Sequence, residues 1–191
     1  MSIHFINKAC VFLKLCSLVL FSSSLFAETS LMPLPESFER QTGELRLPSQ
    51  IEFSFEGFSD QRKEFQAKRL ELHLTRIAKH KVTLIDLANN KKQTPNNATL
   101  KVIVRDKESD LLVPQLNNDE SYQLEINQNG ITINANTLFG AQHGLTTLIQ
   151  IAANHFNNQL ILPHAIITDA PRFAWRGLLI DSARHFLSTD T

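Results

Sequence analysis

The sequence predicts an α+β domain: a mainly antiparallel sheet with two helices on one face. Two observations carry this. Short segments that alternate apolar and polar residues recur along the chain, the period of half-buried strands, and two longer segments repeat apolar residues at helical spacing. Their order is a third observation. Strands, a helix, strands including a hairpin, a second helix and a strand build one layer of helices on one layer of sheet. The domain is expected over residues 28–168.

The first 27 residues stand outside that domain. They carry Lys8 and Lys14 and no acid, then an apolar run from Leu15 to Phe26, then Ala27, a small residue suited to cleavage before Glu28. This is the layout of a secretory signal peptide. The run of twelve residues falls short of the roughly 20 that a spanning helix needs. Export to a periplasm or to the medium is expected, with no membrane association after cleavage. Both cysteines, Cys10 and Cys16, lie in this segment, so the exported chain would hold together by its core and not by disulfides. Without Lys8 and Lys14 the chain has 17 basic and 19 acidic residues, a net of −2. Such a balance gives no basic footprint for nucleic acid.

Glu44 to Leu47 and Ile51 to Phe55 alternate as strands. A helix follows over 59–80, with Ser59 or Asp60 to cap it and Ala67, Leu70, Leu74, Ile77 and Ala78 as its apolar stripe. His73 and His80 share a face of it, but the sequence offers no third ligand to complete a metal site. Val82 to Leu87 reads as a strand. The Asn-rich stretch Ala88 to Asn97 reads as a loop and carries a sequon at Asn97. Ala98 to Asp106 is a further strand. In "SYQLEINQNGITINAN" two alternating runs flank Asn129-Gly130, a pair that accepts positive φ, which predicts a β-hairpin. The second helix spans 137–156, with Leu138, Ala141, Leu145, Leu148, Ile149, Ala152 and Phe156 in its stripe. Gly140 and Gly144 lie on another side, where close packing on the sheet is the expectation and a bound ligand the alternative. "QLILPHAIITD" adds the last strand of the domain.

"DAPRFAWRGLLIDSARHF" departs from this layer. Pro171 separates it from the preceding strand. Trp175 to Asp181 reads as a near-continuous apolar strand, of the kind buried on both faces of a parallel sheet. Asp181 with Arg184 would be either part of a site at the strand end or a structural ion pair. Asp169, Pro171, Arg172, Phe173, Trp175, Arg176, Gly177, Asp181, Arg184, His185 and Phe186 resemble the opening of the catalytic barrel of family-20 glycoside hydrolases, the β-N-acetylhexosaminidases. "MPLPESFERQTGELRL" and "TLFGAQHGLTTLIQI" are similar to the start and the last helix of that family's N-terminal α+β domain.

The resemblance implies that residues 169–191 begin a (β/α)8 barrel, truncated here, since such a barrel takes ~250 residues. It implies removal of terminal β-linked N-acetylhexosamine with retention, the substrate's acetamido oxygen acting as nucleophile, and no cofactor or metal. It assigns Arg176 to binding hydroxyls of the departing sugar, a task suited to a guanidinium with its fixed fork of donors. Asp181, Arg184 and His185 are expected to support the structure. An adjacent Asp-Glu pair supplies acetamide orientation and general acid in that family. The only such pair here, Asp119-Glu120, precedes the hairpin and does not match, so no catalytic group of this chain is assigned. The other reading is a non-catalytic exported module that binds glycan or a protein partner.

Overall fold

The computed structural model describes residues 30–87, 99–106, 115–154 and 160–177. The expected export signal, the Asn-rich loop with Asn97, Phe156, and Asp181, Arg184, His185 and Phe186 lie outside these residues.

Among the described residues, seven strands and two helices form the domain: β1 Ser37–Arg46, β2 Gln50–Glu56, α1 Asp60–Ala78, β3 Thr83–Asp86, β4 Leu100–Val104, β5 Tyr122–Asn127, β6 Gly130–Ala135, α2 Leu138–Asn154 and β7 Ile161–Asp169. The sheet order is β1-β7-β5-β6-β4-β2-β3. The α+β class is as expected, but the sheet is mixed. The β1–β7, β7–β5 and β5–β6 pairs are antiparallel, and the β6–β4, β4–β2 and β2–β3 pairs are parallel.

Alternation places the core on one face. Phe53 stands opposite Leu100, Phe55 opposite Val102, Ile133 opposite Leu124, and Leu124 opposite Ile167. All are buried. The residues between them, among them Glu125, Thr132 and Lys101, line the other, polar face in the same register. The helices cover the apolar face. Leu70, Leu74 and Ala78 of α1 and Ala141, Leu145, Leu148, Ile151 and Ala152 of α2 join the strand residues in one core cluster. Arg69 donates to Thr146 Oγ1 at 3.3 Å, tying the helices together.

The ends of α1 follow from local chemistry. Ser59 occupies the N-cap with extended backbone, but its side chain makes no capping bond; its carbonyl accepts from Lys63 N at 2.9 Å. The helix stops where Lys79 turns left-handed, φ 54°. The hairpin forms one residue earlier than Asn129-Gly130 suggests. Asn127 pairs with Gly130, so Gln128 and Asn129 make the turn. Asn127 Oδ1 accepts from Asn129 N at 2.8 Å, and the positive φ falls on Gly130 at 135°.

Gly140 and Gly144 face the sheet. A Cβ on Gly140 would stand 2.1 Å from the Ser121 carbonyl oxygen, and one on Gly144 would stand 2.7 Å from Ile133 Cγ2. Their missing side chains let α2 lie directly on β5 and β6, which is the packing alternative of the two. No helix among the described residues is long and apolar enough to cross a membrane.

Candidate functional site

The domain carries a cleft of about 400 Å³ where the chain leaves β7. One wall is the strap before β1, with Leu31, Pro33, Leu34 and Pro35. The opposite wall is the outgoing stretch, with Pro171, Phe173 and Arg176. Tyr122 and residues of α2 form the floor. The strap is held by its backbone: Met32 N donates to Gln150 Oε1 and Gln150 Nε2 donates to Met32 O, both at 2.9 Å. Glu36 N donates to Asp169 Oδ1 at 3.1 Å. Thus Asp169, the last residue of β7, fixes the start of β1 as well.

Polar groups converge in two sets. In the first, Tyr122 Oη lies 2.6 Å from Thr147 Oγ1 and donates to Asp169 Oδ2 at 3.3 Å. Burial pushes the Tyr122 phenol up to about 12; the Asp169 charge adds to this, and the Thr147 hydrogen bond opposes it. In the second, Glu120 Oε2 takes Arg176 Nη2 at 2.5 Å and His143 Nε2 at 2.7 Å. Arg176 Nη1 also donates to the Phe173 carbonyl. The Glu120 side chain is 18% exposed and that of Arg176 44%. The pair is half-sheltered on the carboxylate side and open on the guanidinium side.

Asp119 and Glu120 go separate ways. Asp119 Oδ1 accepts from Ser121 N at 2.9 Å and from Ser121 Oγ at 2.6 Å, while Oδ2 accepts from Asn136 Nδ2 at 2.6 Å. These bonds, led by the Ser121 hydroxyl and the Asn136 amide, hold its carboxyl below the usual range against a small opposing effect of burial. Asp119 therefore pins the ends of the hairpin, and only Glu120 reaches the cleft.

Of the residues singled out in the sequence, Asp169, Pro171, Arg172, Phe173 and Arg176 meet at this cleft. The apolar strand expected from Trp175 does not start within the described residues. Residues 170–177 carry no strand, and Trp175 is 80% exposed and Phe173 72%. No described strand lies beside them to receive their backbone bonds. His73 and His80 belong to α1 and the turn after it; His80 Nδ1 lies 2.9 Å from the Ala78 carbonyl. Among the described residues no three His, Cys, Asp or Glu side chains gather as metal ligands would. Nothing in the local sequence marks Glu120, His143, Tyr122 or Thr147 as cleft residues. Their partners lie 23 to 56 residues away in sequence, so no local spacing announces them.

Comparison with known proteins agrees with this architecture. The family described as beta-acetyl hexosaminidase like matches residues 31–151. A beta-hexosaminidase of Vibrio furnissii is 28% identical over 84% of this chain and 22% of its own length. Beta-hexosaminidase subunit A2 of Dictyostelium discoideum is 40% identical over 50% of this chain and 17% of its own. Among solved structures, a Flavobacterium johnsoniae chitobiase matches with a TM-score of 0.63 and 30% identity, over 84% of this chain and 23% of that one. A β-N-acetylhexosaminidase from Bacteroides fragilis shares the fold, with a TM-score of 0.60. The chain spans less than a quarter of the length of the curated relatives named here. Over that span it carries the α+β domain with which these structures align, and it belongs to the beta-acetyl hexosaminidase-like family, the family-20 glycoside hydrolases.

Proposed function

We propose that this chain is the N-terminal part of an exported β-N-acetylhexosaminidase acting on N-acetylhexosamine-containing glycans. The observation that carries this is the family match over residues 31–151, followed in chain order by the stretch Arg172 to Gly177. In the reaction, the acetamido oxygen of the terminal sugar attacks its own anomeric carbon, and a glutamate protonates the leaving oxygen. An adjacent aspartate orients the acetamide. Arg176 holds hydroxyls of the departing sugar, since a planar fork of donors fits vicinal oxygens and keeps its charge at any working pH. The one Asp-Glu pair of this sequence is engaged elsewhere, by Ser121, Asn136, His143 and Arg176. On this reading these 191 residues have no turnover by themselves.

Turnover of a chromogenic N-acetyl-β-glucosaminide tests this. The 191-residue chain gives none above a mock preparation, and a chain extended through a catalytic barrel does. In that extended chain Arg176→Ala lowers kcat/KM about 10- to 100-fold, the loss of a charged hydrogen bond of about 1.5–3 kcal/mol. Arg176→Lys recovers little of it. A folded Arg176→Ala enzyme with near-normal kcat/KM would remove the assignment. Export is tested separately: mass spectrometry of the exported product finds its N-terminus at Glu28 or within a few residues, and an intact Met1 in a membrane-embedded product overturns it.

A further inference from the structure

We propose that Glu120 is a positioning residue for Arg176: it anchors the stretch leaving β7 to the α+β domain and fixes the direction of the guanidinium. Three observations lead there. Glu120 Oε2 sits 2.5 Å from Arg176 Nη2, across 56 residues of sequence. The same oxygen lies 2.7 Å from His143 Nε2, so a side chain of α2 holds the carboxylate in place. The Arg176 Nη1 bond to the Phe173 carbonyl then folds the stretch back on itself.

The surroundings make this anchor decisive for the stretch. Residues 170–177 have no strand partner among the described residues, and Phe173 and Trp175 are largely exposed. Arg172 Nη2 donates to the Leu34 carbonyl at 3.4 Å, a longer and weaker tie. The charged bond to Glu120 is the short contact to the domain. Glu120 is also held from behind, because Asp119 fixes its neighbours through Ser121 and Asn136. A carboxylate on a pinned backbone, with a second donor on the same oxygen, loses little freedom on binding the guanidinium.

The contact leaves Arg176 able to work. An arginine has five N–H donors, and Glu120 and Phe173 take one each. Three donors remain for sugar hydroxyls. For its catalytic meaning the proposal rests on the reading of Arg176 as a sugar-binding residue; the anchoring does not depend on it.

Fluorescence anisotropy of Trp175, the only tryptophan, tests the anchoring on the 191-residue chain without any activity. Trp175 adjoins Arg176 and is 80% exposed, so its motion reports the tie and not burial of its own ring. Anisotropy falls in Glu120→Gln, by more than the scatter between preparations of the unchanged chain. Arg176→Gln breaks the same pair from its exposed side and gives the same fall, should Glu120→Gln fail to fold. The charge swap Glu120→Arg with Arg176→Glu restores the anisotropy of the unchanged chain. Unchanged anisotropy in both single variants overturns the proposal, and so does a swap no higher than either single variant. If the anchoring holds while Arg176→Ala spares kcat/KM in the extended enzyme, the sugar-binding reading fails and the anchor stands.

Discussion

Tyr122 joins the core to the cleft. Its ring lies in the buried cluster, and its hydroxyl meets Thr147 and Asp169. The sign of its pH effect follows from the raised folded value. A phenol of ordinary value near 10 in the unfolded chain and about 12 in the fold favours folding fully below pH 10. That contribution is lost as pH rises from 10 through about 12. Tyr122→Phe removes two part-buried hydrogen bonds, to Thr147 and Asp169, and the expected loss at neutral pH is about 1–3 kcal/mol. Between pH 10 and 12 the wild-type chain should lose stability more steeply than Tyr122→Phe. Urea midpoints of both chains across that range check this, and parallel curves would contradict the role of burial. At this scale the sequence was only partly legible. Arg176 was found through its resemblance to a barrel opening. Glu120 was seen only as half of an Asp-Glu pair that did not match, because its two partners come from distant elements.

Helices were more legible than the sheet. The stripe Leu70, Leu74, Ala78 on α1 and the stripe Leu138, Ala141, Leu145, Leu148, Ala152 on α2 are buried as their spacing predicts. The direction of the strands was not readable. β2, β4 and β6 pair in parallel yet alternate buried and partly exposed residues, because helices cover one face only. Alternation reports a half-covered face, whichever way the neighbouring strand runs. The two glycines of α2 allow a sharper test of helix-on-sheet packing. A methyl at Gly140 meets backbone, the Ser121 carbonyl at 2.1 Å, which cannot give way without moving β5 or the helix. A methyl at Gly144 meets side-chain atoms, Ile133 Cγ2 at 2.7 Å and Tyr122 Cδ2 at 3.1 Å. Alanine gains up to ~1 kcal/mol over glycine inside a helix, while overpacking costs about 1–3 kcal/mol. Both variants should therefore be destabilised, Gly140→Ala by more, because backbone resists and the Ile133 and Tyr122 side chains can shift by a little. Thermal melting of both variants decides it, and an equal or reversed order would show that α2 lies further from the sheet than described.

At the scale of the described domain, its first strand pairs with its last. β1 lies antiparallel to β7 over most of its length, from Ser37 opposite Thr168 to Arg46 opposite Ile161. The strap and the outgoing stretch therefore meet at one corner, where the cleft lies. β1 is an edge strand that is polar and broken by an irregularity between Arg40 and Glu44, features that discourage pairing with other chains. β7 beneath it has Leu162, Ala165 and Ile167 wholly buried. This arrangement separates two truncations. Ending the chain after residue 171 removes no strand, so the remaining domain should keep a cooperative urea transition and run as a monomer in size exclusion. Starting it at residue 47 removes β1 and the strap, and leaves the nine residues of β7 as an unpaired apolar edge. That chain should lose cooperativity or associate, because such an edge is a template for pairing with other copies. Equal behaviour of the two truncated chains would mean that β1 is an ornament on a six-stranded domain, and that the family match from residue 31 marks more sequence than the fold requires.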